Sequence, residues 1–207
     1  MAKKELLDFL FESGMLKRTP RSGWLTIGIQ NPESVAEHTY RTCVVGLALS
    51  RMEGLGKEQE RLVLLGCLLH DMCETRLSDL NKINKKYLDA PVPSGSKAMA
   101  GGSGAKHAST LKAAKAKSFE GIFGHAGIAG SMLSDLEKAS NDSLVSSVIS
   151  DADKLEMALS AREYEFLGNK HARKWIESAK EGLKTASAKK IISQIQRADP
   201  YKWAFES

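Results

Sequence analysis

Histidine and carboxylate side chains lie at points of predicted helices where they can meet in a folded chain. His38 lies in the first turns of one predicted helix, the doublet His70-Asp71 ends another, and Asp153 lies within a third. Carboxylates beside an apolar core are costly unless they are paired or bind a cation. A shared metal ion would account for all four residues.

Two imidazoles and two carboxylates form a mixed set of nitrogen and oxygen ligands. Such a set suits Mn, Fe(II), Co, Ni or Zn better than Ca, which favours oxygen alone. Four protein ligands in an octahedral shell leave two positions for water and a substrate oxygen, and water on a divalent metal loses a proton near neutral pH. Two further acids, Glu74 and Asp79, follow the doublet. These residues predict metal-dependent hydrolysis.

The elements that must position these residues are all predicted to be helices. Almost every periodic segment has helical spacing, and none shows sustained strand alternation. Ser34-Val-Ala-Glu37 has the form of a capping box, and the apolar stretch 62–69 predicts a helix central to the core. We place helices at about 4–13, 34–52, 57–71, 81–90 and 143–167, with one resuming near residue 109 and two more towards the carboxyl terminus.

The apolar residues of the first and the longest helix are expected to face the core. They are Leu6, Leu7, Leu10 and Phe11 in the first helix, and Leu144, Val148, Ile149, Leu155 and Leu159 in the longest. The pattern predicts a compact all-α helical bundle, and 207 residues fit a single domain over residues 1–207. Residues 91–108 are rich in Gly, Ser and Ala and predict a flexible loop.

Composition excludes several classes of protein. The chain is 42% apolar and 27% charged, as is usual for a globular protein. No apolar run approaches the ~20 residues that cross a bilayer, and the acids near the start argue against a secretion signal. The three cysteines form no Cys-x-x-Cys pair, so a zinc or redox motif is not predicted. We expect a cytoplasmic protein without a membrane partner.

The net charge of +5 comes from one segment. Residues 91–117 carry five lysines and no acid. Subtracting these lysines from the 30 basic residues leaves 25, which equals the 25 acidic residues of the chain. Because the rest is formally neutral, the basic footprint of a nucleic-acid-binding fold is absent, and no nucleic-acid partner is predicted.

Several linked motifs occur in a definite order along the chain. They are Leu16-Lys-Arg-Thr-Pro-Arg-Ser-Gly-Trp24, Pro32-Glu-Ser-Val-Ala-Glu-His38, Leu68-Leu-His-Asp-Met-Cys-Glu74, Leu77-Ser-Asp79, Asp153-Lys-Leu-Glu-Met and Arg162-Glu-Tyr-Glu165. In these motifs the sequence resembles the HD-domain phosphohydrolases, and within them the 5′-deoxynucleotidase branch. The resemblance covers roughly residues 16–166, interrupted by the loop after residue 90.

The resemblance implies an all-helical fold, a homodimer and one divalent metal ion, which could be Mn, Co, Fe, Ni, Zn or Mg. The implied ligands are His38, His70, Asp71 and Asp153. Asp151 could compete for the last position, but the Lys-Leu-Glu-Met sequence that follows favours Asp153. The implied activity is removal of the 5′-phosphate from deoxynucleoside monophosphates by attack of a metal-bound water.

The same resemblance assigns roles to residues around the metal. Arg18 would grip the phosphate, Glu74 would act near the attacking water, and Asp79 would meet the sugar or support the metal shell. Trp24 would face the nucleoside. Without the motif context, an arginine is usually solvated, acids at helix ends usually cap or solvate, and a Trp in a polar connector is usually packed.

Two other functions fit the same residues. One is a different HD enzyme that acts on cyclic nucleotides, deoxynucleoside triphosphates or alarmones. The other is a non-catalytic regulator that binds a nucleotide or a metal. The presence of Glu74 beside the ligand set argues against the regulator, because a binding protein has no need of a base next to bound water.

Overall fold

The computed structural model describes residues 2–88, 110–123 and 128–205. Its α-helices are α1 (Ala2–Ser13), α2 (Ser22–Leu25), α3 (Val35–Met52), α4 (Lys57–Leu69), α5 (Glu74–Leu77), α6 (Lys82–Leu88), α7 (Thr110–Phe123), α8 (Ile128–Asn141), α9 (Ser143–Phe166), α10 (Arg173–Glu181) and α11 (Ala186–Ile195). Within these ranges there is no β-strand, and an isolated antiparallel bridge joins Pro20 to Ser34. The all-α prediction is confirmed.

The capping box at the start of α3 forms as the sequence predicts. The Ser34 side chain accepts a hydrogen bond from the Glu37 backbone N–H, and the Glu37 carboxylate accepts one from the Ser34 backbone N–H. The next residue after Ser34 is also held, because the Val35 N–H donates to the Thr19 carbonyl at 2.8 Å. These bonds fix the first turn of α3 against the preceding connector, and His38 follows in the next turn.

The helix α9 lies at the centre of the fold and contacts α3, α4, α8, α10 and α11. Its residues Val148, Ala152 and Leu155 are fully buried. Gly66 of α4 faces this helix, where an added Cβ would come within 2.2 Å of Ile149 Cδ1. The missing side chain lets α4 approach α9 closely, so that the carboxyl end of α4 reaches the middle of α9.

Two expectations about the core are wrong. In α1, Leu7 and Leu10 are each 52% exposed and Phe11 is 78% exposed, whereas Phe9 packs against a buried cluster. Leu144 is also exposed, because it lies in the first turn of α9, outside the packed part of that helix. Periodicity locates an apolar stripe, but it does not say whether another part of the chain covers it.

The helix α4 also differs from its prediction. It ends at Leu69, and residues 70–73 form turns before α5 begins. Although its apolar stretch predicts burial on every side, Leu68 is 52% exposed. No described helix has both the length and the apolar character that crossing a bilayer requires. The loop predicted at 91–108 lies outside the described residues.

Candidate metal centre

Three helices bring the four predicted ligands together. His38 comes from α3, His70 and Asp71 follow α4, and Asp153 lies in the middle of α9. Ligand atoms of His38, His70 and Asp71 all lie within 4.8 Å of one another. Asp153 Oδ1 lies 3.2 Å from His38 Nε2 and 4.0 Å from His70 Nε2. His38, His70 and Asp71 thus have the spacing of a metal site, and Asp153 lies beside it next to both histidines.

The hydrogen bonds of His70 leave one ring nitrogen for a ligand role. Its Nδ1–H donates to the Cys67 carbonyl at 2.8 Å, which places the lone pair of the neutral ring on Nε2. That Nε2 is buried and has no hydrogen-bond partner in the described part of the chain. Buried polar atoms are normally satisfied. The lone pair of this Nε2 faces the carboxylates of Asp71 and Asp153, and a divalent cation between these groups would bind all of them.

The electrostatics of the centre also favour positive charge there. Burial alone would lower the pKa of His38, but hydrogen bonds to Asp153 and Glu156 outweigh it and raise the pKa to about 9. Burial would raise the pKa of Asp153, but the hydrogen bond to His38 and the nearby His70 hold it at about 2. The carboxylates therefore stay ionised and attract a cation, whether a proton or a metal ion.

The structure separates the two aspartates that compete for the fourth position. Asp151 is fully buried and accepts hydrogen bonds from the Lys184 N–H at 3.0 Å and from the N–H and hydroxyl of Thr185 at 2.7 and 2.8 Å. It therefore ties α9 to the start of α11. Asp153 faces the two histidines instead. The geometry favours Asp153 as the ligand.

A carboxylate that the sequence analysis did not single out lies behind His38. Glu156 Oε2 makes a short hydrogen bond to His38 Nδ1, and both side chains are fully buried. The bond places the hydrogen of the neutral ring on Nδ1 and leaves the Nε2 lone pair facing Asp153. Glu156 follows Asp153 by three residues and so lies on a neighbouring part of the same helix face, a spacing that the motif already contained.

Arg41 holds Glu156 in place. Its Nε donates to Glu156 Oε1 at 3.0 Å, its Nη2 donates to Ser160 at 2.5 Å, and its Nη1 donates to Glu163 at 2.5 Å. Ser160 in turn donates to Glu33 at 2.8 Å. The group of Glu33, His38 and Glu156 has the spacing of a metal site, but its oxygens already accept hydrogen bonds, so it forms a supporting network instead.

Glu74 lies close to the candidate ligands even though α4 does not continue to it. Its N–H donates to the Asp71 carbonyl at 2.9 Å across the turn, and its side chain is buried. Burial raises the pKa of Glu74, as do the nearby Asp71 and Asp79, to about 8. Its Oε2 has no partner in the part of the chain that the structure describes. This carboxyl can therefore take or hold a proton near neutral pH.

Asp79 has a structural contact that accounts for its position. Its Oδ2 accepts a hydrogen bond from the Ser22 backbone N–H at 2.6 Å, and its Oδ1 lies 4.0 Å from Arg21 Nη1. Arg21 Nη1 also lies 3.5 Å from Asp71 Oδ2. Asp79 therefore holds the start of α2, and with it the Arg21 guanidinium, beside the candidate ligands.

The structure places Arg18 away from this group. The side chain is exposed, and its Nη1 contacts the sulfur of Met15 at 3.8 Å. Arg21, three residues later in the same connector, faces the acids instead. Both arginines belong to the same motif, so spacing alone did not distinguish them. The phosphate role of Arg18 stays a prediction.

Trp24 is packed in the core and has one edge at the cavity. It is 2% exposed, and its Nε1–H donates to Glu33 Oε1 at 2.9 Å. Tyr164 packs edge-on against it, with ring centroids 5.1 Å apart, and Trp175 lies at 5.4 Å on a tilted plane. Trp175 is half-buried and also lines the cavity.

A cavity of about 810 Å³ lies beside the candidate metal centre. Its wall includes Arg21, Gly23, Trp24, Thr26, Asp71, Glu74, Asp79, Lys82, Lys85, Lys86, Tyr87, Asp153, Met157, Lys174, Trp175 and Ser178. A smaller cavity of about 430 Å³ borders Arg41 and Glu163, and none of the four candidate ligands lines it. The larger cavity therefore combines the candidate metal centre with space for a small organic ligand.

Comparison with known families decides the classification. A family model described as HD domain matches residues 13–196. The chain belongs to the HD domain family. The His70-Asp71 doublet therefore lies in a recognised HD domain, and the cluster of His and Asp side chains could hold a divalent metal ion.

Two solved structures resemble this HD domain over nearly its full length. A structural-genomics crystal structure is 30% identical with a TM-score of 0.68 and covers 94% of this chain and 95% of its own. A conserved hypothetical protein from Pyrococcus furiosus is 28% identical with a TM-score of 0.68 and covers 93% of this chain and 99% of its own. These likenesses agree with the fold described above.

A curated relative matches a shorter part of this HD domain. The 5′-deoxynucleotidase HDDC2 from Bos taurus is 44% identical over 77 residues, which is 37% of this chain and 36% of that protein. The chain therefore matches about a third of the length of this relative. The match fits the sequence-based resemblance to the same branch of the family.

Proposed function

We propose that this protein removes the 5′-phosphate from deoxynucleoside monophosphates by hydrolysis. The observation that carries the proposal is the geometry of the large cavity, where the candidate metal ligands, Glu74 and Arg21 meet at one end. The name of the Bos taurus relative supports the same substrate class. The reaction forms a bond from water oxygen to phosphorus, breaks the bond from phosphorus to the 5′-oxygen, and returns a proton to the leaving alkoxide.

His38, His70, Asp71 and Asp153 would hold the metal ion. A divalent cation supplies a Lewis acid for the phosphoryl oxygen and lowers the pKa of a coordinated water. The protein contributes fixed ligand positions, because the Cys67 carbonyl orients His70 and Glu156 orients His38.

Glu74 accepts the proton of the attacking water or passes a proton to the leaving 5′-oxygen. It is buried at the cavity wall and has an oxygen without a partner among the described residues. A positioned carboxylate of this kind contributes about 10²–10⁴-fold in rate. Asp79 holds the segment that carries Arg21.

Arg21 binds the phosphate in this proposal, and the predicted Arg18 is the alternative that the variants below test. Its guanidinium lies at the inner end of the cavity, 3.5 Å from an Asp71 oxygen, and its planar fork suits the oxygens of a phosphate dianion. Hydrogen bonds to charged groups contribute about 1.5–3 kcal/mol, so Arg21→Lys should lower kcat/KM by about ten- to a hundredfold. Arg18→Lys is the matched control. A larger loss of kcat/KM in Arg18→Lys than in Arg21→Lys would assign the phosphate role to Arg18.

The test of the proposal is a phosphate-release screen with the purified protein. It crosses 5′- and 3′-monophosphates of deoxyribo- and ribonucleosides with Mn, Co, Mg, Zn and Ni. We expect hydrolysis of 5′-monophosphates and poor turnover of 3′-monophosphates. Equal rates on both would contradict the proposal. Turnover confined to cyclic nucleotides, deoxynucleoside triphosphates or alarmones would indicate another HD activity, and no turnover with any metal would indicate a regulator.

We also propose that the protein forms a homodimer through the outer face of α3 and α4. Tyr40 and Val44 of α3 are 73% and 50% exposed, Leu68 of the neighbouring α4 is 52% exposed, and exposed apolar patches mark interaction sites. Val44→Lys and Leu68→Lys should shift the molar mass in multi-angle light scattering from dimer to monomer. Leu167→Lys, at a site 70% exposed elsewhere, is the control. A monomeric wild-type protein would contradict this proposal.

A further inference from the structure

Charge divides the wall of the large cavity into two ends. The inner end carries the candidate ligands Asp71 and Asp153 together with Glu74, Asp79 and Arg21. The mouth, defined here as Lys82, Lys85, Lys86 and Lys174, carries four ammonium groups. Three of these lysines lie on α6 and the fourth lies on α10, so two separate helices contribute positive charge to the wall of one cavity.

Three of the four lysines, Lys82, Lys86 and Lys174, are exposed, whereas the half-buried Lys85 lies close enough to Glu74 to lower the pKa of that carboxyl. No carboxylate of the described residues lies within 4.0 Å of any of their ammonium groups, although other lysines, such as Lys138, do form such pairs. A cleft lined by charges of one sign focuses the electric potential and concentrates ligands of the opposite sign. The mouth therefore favours an anion from solution.

The inner end already contains what a 5′-phosphate requires. Arg21 and the candidate metal ligands lie there, whereas the sugar and base of a nucleoside monophosphate carry no charge. Such a substrate would leave the exposed Lys82, Lys86 and Lys174 without an anionic partner among the described residues. The cavity of about 810 Å³ lies near the upper end of the usual 300–1,000 Å³ range for small-molecule sites, so it has room for a further group.

We propose that the mouth is a second anion subsite that binds a phosphoryl group on the 3′ side of the nucleotide. The preferred substrate is then a nucleoside that carries a 5′-phosphate at the inner end and a second phosphate at its 3′-oxygen. Hydrolysis breaks the bond from the 5′-oxygen to phosphorus, consumes one water and releases inorganic phosphate and a nucleoside 3′-phosphate. The second phosphate is bound and is not cleaved. This inference rests on the proposed function.

A kinetic comparison of three thymidine substrates tests the subsite. They are thymidine 5′-monophosphate, thymidine 3′,5′-bisphosphate and a thymidine dinucleotide with a 5′-phosphate. We expect the bisphosphate to have a kcat/KM higher by about tenfold or more at low salt, because focused charge raises association by about 10–10³-fold, and added salt should reduce this advantage. An equal gain with the dinucleotide would also support the subsite, because its internal phosphate lies on the 3′ side of the first nucleoside, whereas no gain with the bisphosphate would overturn it.

Variants locate the preference at the mouth. The triple variant Lys82→Gln, Lys86→Gln, Lys174→Gln should bring the ratio of kcat/KM for bisphosphate over monophosphate down to about one, since the focused charge is removed. Lys180→Gln, on the same helix as Lys174 but outside the cavity wall, should keep the wild-type ratio. A triple variant with an unchanged ratio would overturn the subsite.

Failure of the subsite and failure of the proposed function give different results. If the monophosphate is hydrolysed and the bisphosphate has no advantage, the subsite is wrong and the proposed function stands. If no 5′-monophosphate is hydrolysed, calorimetric titration of the wild-type protein with the bisphosphate and the monophosphate still decides the subsite. Tighter binding of the bisphosphate would support it, and equal affinities would overturn it.

Discussion

The inner end and the mouth of the large cavity are built in opposite ways. At the inner end the side chains are largely buried and held by hydrogen bonds to neighbouring helices, as Glu156 and Arg41 hold His38. At the mouth, Lys82, Lys86 and Lys174 are exposed and have no hydrogen-bond or ion-pair partner among the described residues. Buried side chains in fixed positions can stabilise a reacting group, whereas exposed lysines attract anionic ligands from solution. Substitutions at the two ends should therefore change different measured quantities.

The largest effect is expected at Asp153. Asp153→Ala should remove the metal and abolish turnover, with little change in the melting temperature of the metal-free protein, because the side chain faces the cavity and the histidines. Asp151→Ala should keep the metal and lower the melting temperature, since burying unsatisfied hydrogen-bond groups costs about 1–3 kcal/mol. Elemental analysis and thermal unfolding of both variants measure the difference. Metal loss in Asp151→Ala with full metal in Asp153→Ala would reverse the ligand assignment.

The next largest effect is expected at Glu74. Glu74→Gln keeps the shape of the side chain but cannot take a proton, so turnover should fall by about 10²–10⁴-fold. Metal content and nucleotide affinity should stay near normal, as measured by elemental analysis and calorimetric titration. Loss of the metal would instead make Glu74 a ligand or a support for one. Full activity in this variant would contradict its role and move the assignment to Asp79.

A smaller effect is expected at Glu156, which acts through His38. Glu156→Gln should weaken metal affinity by about 10–100-fold, because the imidazole loses the partner that fixes its orientation. Calorimetric titration with Mn or Co measures this change without any substrate. Glu163→Gln is the control, since Glu163 accepts a hydrogen bond from the Arg41 guanidinium rather than from the His38 ring. Equal metal affinity in wild type and Glu156→Gln would exclude a positioning role.

Sequence alone predicted the parts of the molecule that have a local signature. The capping box at Ser34 and Glu37 formed and the all-α prediction was confirmed. Of the predicted ligands, His38, His70 and Asp71 lie within 4.8 Å of one another, and Asp153 lies next to the two histidines. The burial of Leu10 and Phe11 was wrong, because coverage of an apolar stripe depends on which distant helix packs on it. The position of Arg21 depends on a hydrogen bond from Ser22 to Asp79, 57 residues away. No local pattern encodes that contact.

Trp175 lines the large cavity and gives the smallest expected effect. Its indole packs on Trp24 on one side and lines the cavity on the other, so it can stack on a nucleobase whose phosphate lies at the inner end. Stacking of a base on an aromatic side chain contributes about 1–3 kcal/mol, and Trp175→Ala should therefore raise KM for thymidine 5′-monophosphate by about tenfold. Trp175→Phe should restore most of the affinity.

A substrate without a base separates stacking from packing. With 2-deoxyribose 5-phosphate, Trp175→Ala should have the same KM as wild type, because nothing remains to stack. Trp203→Ala, at a site 80% exposed and outside the cavity wall, should leave KM unchanged for both substrates. A parallel loss on both substrates in Trp175→Ala would show that Trp175 supports Trp24 and the start of α2 rather than the base.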